Sequence, residues 1–259
     1  MIPISDQNPT RTTPYVNYAL IVLNVLAFGI ESWLLSRHGD SYVIAGYGLV
    51  PARVVADPAG EAFTILTSMF MHGGLGHLAG NMLFLWIFGD NVEDAIGHAR
   101  YVLFYLLCGL CAAAAQVLTG PGSQFPVVGA SGAIAGVLGA YLVLYPRVPI
   151  TVFMGFFLMV WPAWVVIGFW AVLQFTGGLH ALGLEAAGGV AYAEHIGGFL
   201  GGVLAIRPFM LGRQRADVSR FTSFRHVRSG GRFGLPRAPG GPSGSGLPGP
   251  GPGRWDSWR

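Results

Sequence analysis

Four polar side chains stand in apolar, glycine-rich segments of the sequence: Ser131, His195, His77 and Asn81. A serine hydroxyl is a weak nucleophile until a neighbouring base removes its proton, and histidine is well suited to that task near neutral pH. His77 and Asn81 are four residues apart, so on a helix they share a face and could both donate hydrogen bonds to an oxyanion. These residue types suit acyl transfer through a serine ester if the fold brings them together.

Each feature also has an ordinary structural interpretation. His195 could be an interior histidine whose hydrogen bonds are satisfied, and His77 and Asn81 could simply bond a nearby loop. Rows of glycine are a common device for packing helices closely. The choice therefore depends on whether the surrounding elements bring the four side chains to one place.

Charge is scarce in this chain, which has 259 residues of which 10% are charged and 53% hydrophobic. Globular proteins average about 25% charged residues. Residues 62–89, 101–146 and 148–184 contain no Asp, Glu, Lys or Arg. A helix needs about 20 mostly apolar residues to cross a bilayer core, so these stretches predict transmembrane helices. A soluble enzyme, a disordered protein and a secreted disulfide scaffold are excluded.

The predicted fold class is an all-α integral membrane protein, a bundle of six transmembrane helices with a long loop, residues 36–73, between helices 1 and 2. Residues 1–13 form the N-terminus, 14–210 the membrane domain and 211–259 a tail rich in Arg, Gly and Pro, whose composition predicts disorder. The expected helices are 15–35, 74–91, 100–118, 131–145, 151–176 and 191–209.

Arginines set the direction of these helices, since the chain has no lysine. With both termini in the cytoplasm, 13 of the 15 arginines face inward and only Arg37 and Arg53 face outward, as the positive-inside rule requires. Helices two, four and six then all run inward. Their N-terminal ends, which carry the four polar side chains, lie at one depth near the outer face.

Ser131 is expected below the membrane surface, because the helix that it begins is too short to span. Fifteen residues rise about 22 Å, against a hydrocarbon core of about 30 Å. The segment before Ser131 must then line a wet cavity or be buried in protein. Small residues would let helices four and six approach closely. They are Ser131, Gly132, Ala135, Gly136, Gly139 and Ala140 on one helix and Gly198 and Gly202 on the other.

The segments "HLAGN" (77–81), "GASG" (129–132) and "HIGGFLGG" (195–202) resemble, in this order, the rhomboid family of intramembrane serine proteases. The resemblance covers about residues 14–210. It implies a catalytic dyad of Ser131 and His195 without an acidic third member, an oxyanion hole using His77 and Asn81, and a flexible cap over 177–190. The glycines of these motifs would support helix packing: Gly129, Gly132, Gly136, Gly198 and Gly202.

Two positions depart from the family pattern. Ala135 stands where members often carry an aromatic residue, one turn after the serine, that packs on the histidine. Glu194 stands where a small residue commonly precedes the histidine. Adjacent helical residues project about 100° apart, so we expect Glu194 not to reach the imidazole as a triad acid would.

The predicted partners are transmembrane protein substrates and the lipid bilayer, with no nucleic acid, metal or cofactor. The expected location is the cell membrane, with the active site opening toward the outer face. A catalytically silent, rhomboid-like protein that binds membrane proteins is the alternative, although it would usually lack a dyad residue. A small transporter is weaker, since the spans show no inverted repeat. The substrate, the cleavage site and the oligomeric state stay open.

Overall fold

The computed structural model describes residues 1–183 and 192–213. The chain divides into one unit of residues 1–224 and another of residues 225–259, and the second unit lies wholly outside the described residues. The predicted disorder of the tail therefore falls almost entirely on residues that are not described. The expected cap begins inside a helix that continues to Gly183, and its residues 184–190 lie outside the described part.

The described residues are mostly helical, in agreement with the predicted class. The helices are α1 (Tyr15–His38), α2 (Asp40–Tyr47), α3 (Pro51–Ala56), α4 (Pro58–Ser68), α5 (Leu75–Phe84), α6 (Asp90–Ile96), α7 (His98–Thr119), α8 (Ser131–Leu144), α9 (Ala163–Gly183) and α10 (Tyr192–Phe209). A π-helical turn, Leu85–Gly89, joins α5 to α6. Among these residues α1 and α7 are long and apolar enough to cross a membrane, so the count of six spans stays a prediction.

The predicted fifth helix, 151–176, is wrong in its first half. Pro149–Phe153 (β2) and Leu158–Pro162 (β3) form an antiparallel hairpin, and α9 begins only at Ala163. An uncharged apolar run does not distinguish a strand from a helix. The turn contains Gly155 at φ +93°, a conformation that suits glycine. Residues Ile2–Asp6 (β1) complete the sheet by pairing antiparallel with β2.

Two acidic residues of α6 hold the N-terminal end of α1. The buried Glu93 carboxylate accepts hydrogen bonds from the backbone N–H groups of Val16 (3.0 Å) and Asn17 (2.7 Å). Asp94 accepts from the side chains of Arg11 and Thr12. A carboxylate is stabilised at a helix N-terminus, where N–H groups lack partners within the helix. These contacts fix the start of α1 against the end of the α5 to α6 segment.

Helices α8 and α10 cross with their backbones in direct contact. A Cβ atom placed on Gly198 would overlap the Gly132 carbonyl oxygen, and one placed on Gly202 would overlap the Gly136 carbonyl oxygen. Four of the five predicted packing glycines therefore lie at this crossing. The fifth, Gly129, precedes α8 at φ +139° and lies instead against His77.

We predict that Gly202→Ala lowers the free energy of unfolding by about 1–3 kcal/mol, because the added methyl group forces two backbones apart. The measurement is an SDS titration in mixed micelles. Gly29→Ala is the matched control, since a Cβ atom at Gly29 on α1 would have no neighbour within 4 Å. Equal stability of the two variants would contradict the tight crossing.

The pH dependence of stability should carry a contribution from Asp6. Its carboxylate accepts hydrogen bonds from the Tyr141 hydroxyl (2.6 Å) and the Asn91 amide (3.2 Å). Burial raises the pKa of Asp6 from 3.8 to about 7; the charge of Asp90 acts in the same direction, and the Tyr141 hydrogen bond opposes it. The folded protein thus holds this proton more tightly than the unfolded chain. Asp6 contributes stability in acid that is lost as the pH rises toward 7.

We therefore expect Asp6→Asn to reduce the loss of thermal stability between about pH 5 and about pH 8. Melting the wild type and the variant in one detergent at both pH values tests this. An identical pH dependence in both proteins would show that Asp6 titrates normally.

Candidate active site

Ser131 is the first residue of α8, and the loop before it is fixed to the rest of the protein. Leu49 and Val127 exchange backbone hydrogen bonds of 3.0 and 2.8 Å, and the Gly129 N–H donates to the Ser68 carbonyl at 2.9 Å. As the first residue of a helix, Ser131 has a backbone N–H without a partner inside that helix. The serine therefore combines a nucleophilic oxygen with a nearby N–H donor.

His195 lies in the first turn of α10, one turn before Gly198. Its Nε2 atom is 2.8 Å from the Ser131 Oγ atom, which is hydrogen-bond distance. The close crossing of α8 and α10 makes this distance possible. The geometry is that of a base positioned to take the serine proton.

His77 and Asn81 lie on α5 and line the same cavity as Ser131. A Cβ atom at Gly129 would lie 3.0 Å from His77 Nε2 and 3.3 Å from Ser131 Oγ, so only glycine leaves this space open. His77 Nδ1 accepts the Gly73 N–H at 3.3 Å. Asn81 is 8% exposed, and its Nδ2 has no partner among the described residues. An unpartnered amide N–H beside a nucleophile can donate to a developing oxyanion.

Glu31 contacts His72, and His72 contacts His77. The buried Glu31 carboxylate accepts the His72 backbone N–H at 2.9 Å. The His72 and His77 rings pack in a T-shaped arrangement, with ring centroids 5.2 Å apart. His72 thus has the structural surroundings expected of a residue that positions its neighbour.

All four polar residues line one cavity of about 660 Å³. Trp170 of α9, Gln116 of α7 and Glu194 of α10 also line it. The cavity brings a hydroxyl, two imidazoles and an amide around one space. Such a set can attack a carbonyl carbon and stabilise the oxyanion that forms.

Glu194 projects toward Gly132 of α8. A Cβ atom at Gly132 would lie 2.8 Å from both Cγ and Oε1 of Glu194. The carboxyl is buried, and its Oε2 atom has no partner among the described residues. This placement agrees with the expectation that Glu194 is not a triad acid.

Sequence reasoning missed the two residues of α9 that contact His195. The Trp170 ring lies 6.0 Å from the imidazole at an interplanar angle of 40°, and both Trp170 and Ala135 line the cavity. Gln174 Oε1 lies 2.7 Å from His195 Nδ1. The available signal was a glutamine inside a mostly apolar helix, because such a side chain is costly in a membrane without a partner.

Comparison with known proteins gives consistent matches. The family model described as the Rhomboid domain matches residues 59–211. The rhomboid protease GluP of Bacillus subtilis is 36% identical over 132 residues, covering 50% of this chain and 24% of GluP. Rhomboid protein 1, mitochondrial, of Saccharomyces cerevisiae is 30% identical over 195 residues, covering 72% of this chain and 51% of the yeast protein.

A third relative is the presenilin-associated rhomboid-like protein, mitochondrial, of Mus musculus. It is 29% identical over 150 residues, which cover 54% of this chain and 36% of the mouse protein. The chain thus spans from about a quarter to about half of the length of these relatives.

Proposed function

This chain belongs to the rhomboid family of membrane proteins, and on that premise we propose that it is a serine endopeptidase that cleaves other membrane proteins. The single observation that carries the proposal is the 2.8 Å distance between Ser131 Oγ and His195 Nε2 inside a shared cavity. A nucleophile and a base at this distance are the minimum that acyl transfer needs.

The reaction follows from the positions of these atoms. Nε2 of His195 takes the hydroxyl proton as Ser131 Oγ attacks the scissile carbonyl carbon, and the carbonyl oxygen becomes an oxyanion. His77, Asn81 and the Ser131 backbone N–H are the proposed donors to it. As the intermediate collapses, the imidazolium protonates the leaving amine. Water, activated by the same histidine, then hydrolyses the acyl-enzyme and frees Ser131.

The proposed substrates are transmembrane proteins. Apolar helices surround the cavity, and large side chains such as Leu103, Leu107 and Leu110 of α7 face outward, where lipid would cover them. A peptide carbonyl inside a helix is already hydrogen-bonded and shielded by side chains. We therefore propose that cleavage occurs where the substrate helix is locally unwound, so that its backbone can enter the cavity.

We further propose that the protein lies in the cell membrane and has six spans. Both termini would then be in the cytoplasm. The 13 to 2 distribution of arginines supports this direction. In this arrangement the cavity opens toward the outer face. The β1 to β3 sheet then lies on the inner side, because it follows the C-terminal end of α8 and includes the N-terminus.

The first test of the proposal is the loss of the nucleophile or the base. We expect Ser131→Ala and His195→Ala each to abolish cleavage of a transmembrane substrate in detergent or liposomes while the protein stays folded. Ser36→Ala and His38→Ala are matched controls on the exposed end of α1, and both should cleave normally. Turnover by well-folded Ser131→Ala would mean that cleavage uses other residues, whereas a folded wild type that cleaves no transmembrane substrate would favour the silent binding protein.

The oxyanion donors are tested separately. Truncating His77 or Asn81 to alanine should lower the single-turnover rate by about 10- to 1000-fold, because one donor to the transition state is lost. Substrate binding should change little, since the donors act mainly on charge that develops during reaction. If both variants react at the wild-type rate, these residues only support the loop that precedes Ser131.

A further inference from the structure

Both ring nitrogens of His195 are engaged by groups from different helices. Nε2 faces Ser131 Oγ on α8 at 2.8 Å, and Nδ1 faces Gln174 Oε1 on α9 at 2.7 Å. A neutral imidazole carries one N–H and one lone pair, so the partner of one nitrogen decides the state of the other. The group at Nδ1 therefore controls whether Nε2 can act as a base.

An amide oxygen accepts hydrogen bonds and cannot donate them. With Oε1 of Gln174 facing Nδ1, the proton must lie on Nδ1, and the Nε2 lone pair is left for the Ser131 hydroxyl. The opposite tautomer would place an N–H against the serine oxygen and would have no acceptor for the serine proton. We propose that Gln174 is a positioning residue that holds His195 in the productive tautomer and orientation. This inference rests on the proposed function.

Trp170 completes the support of the imidazole. It lies four residues before Gln174, so both side chains occupy one face of α9. Its ring lies 6.0 Å from His195 and 5.9 Å from Phe199, the residue one turn after His195. The tryptophan thus packs along the surface of α10 that carries His195. Gln174 fixes the rotation of the imidazole ring by a directional hydrogen bond.

The start of α9 is tied to the end of α8, which positions Gln174 relative to Ser131. The Ala163 N–H donates to the Val148 carbonyl at 2.8 Å, and the Trp164 N–H donates to the Pro146 carbonyl at 2.9 Å. From that anchor, about three helical turns lead to Gln174. The β2 to β3 hairpin therefore determines which residue of α9 meets the histidine.

A neutral acceptor suits this buried site for an electrostatic reason. A carboxylate would stabilise the imidazolium more strongly, but burying an ionised carboxyl at this position would be costly. The amide orients the ring without adding charge. Hydrogen bonds with an ionised partner are roughly twice as strong as neutral ones, so we expect a smaller contribution than the ~10⁴-fold of a triad aspartate.

The test uses the full chain in detergent with a transmembrane substrate. Gln174→Met keeps the side-chain length and removes the acceptor; kcat should fall by about 10- to 100-fold, with KM within about twofold. Gln174→Glu restores an acceptor and adds charge, so it should keep activity and move the acid limb of the kcat profile upward by about one pH unit.

The matched control is Thr176→Val on the same helix, because the Thr176 hydroxyl bonds only carbonyls of α9 among the described residues and is exposed. It should behave as wild type. If Gln174 had only a structural role, Gln174→Met would lower the thermal stability, and the pH profile of kcat in Gln174→Glu would match that of the wild type.

Two results would overturn the inference while leaving the proposed function intact. One is a kcat for folded Gln174→Met within about twofold of wild type; the other is an unchanged acid limb in Gln174→Glu. If Gln174→Met fails to fold, the Gln174→Glu profile alone decides. Ser131→Ala measured alongside separates the two claims, because turnover by that variant would overturn the proposed protease activity itself.

Discussion

The site depends on one steric constraint, the contact between the backbones of α8 and α10. Because Gly198 and Gly202 have no side chains, they lie directly on the carbonyl groups of Gly132 and Gly136. His195 stands one turn before Gly198, and this places its ring opposite Ser131 at 2.8 Å. A hydrogen bond loses most of its strength when its atoms separate by a further 0.5–1 Å, roughly the displacement that one methyl group would cause. Between apolar helices in lipid, close packing is also a main source of attraction, so the same glycines serve stability and geometry.

The polar groups around the serine differ in how completely their hydrogen bonds are satisfied. His195 is bonded at both nitrogens, whereas Asn81 Nδ2 and Glu194 Oε2 have no partner among the described residues. Buried polar atoms without partners are costly, and native proteins retain few of them away from functional sites. An unsatisfied amide donor beside a nucleophile is a cost that a transition-state oxyanion would offset. In the proposed mechanism the base would thus be oriented before substrate arrives, while Asn81 would stay available as a donor for charge that exists only during the reaction.

Some of the elements around the candidate site could be predicted from the sequence, and others could not. Ser131 was expected to begin a helix ending at 145, and α8 runs from Ser131 to Leu144, because the glycine-rich start and Pro146 mark its ends. The expected helix 151–176 failed because apolar, β-branched residues suit strands as well as helices, and the pairing of β1 with β2 depends on residues about 150 positions away. Gln174 was missed for a related reason. Which residue of α9 faces His195 depends on where that helix begins and how it rotates, and neither follows from local pattern.

The absence of an aromatic residue at 135 changes which helix supports the base. An aromatic side chain on α8 would belong to the same rigid element as Ser131. The serine and the side chain that supports the histidine would then move together. Here Trp170 and Gln174 hold the imidazole, and both belong to α9. A displacement of α9 away from α10 would release the ring face and the Nδ1 proton at once, whereas the glycine crossing would keep His195 near Ser131. The orientation of the base is thus coupled to the position of α9, while its distance from the nucleophile is set by α8 and α10.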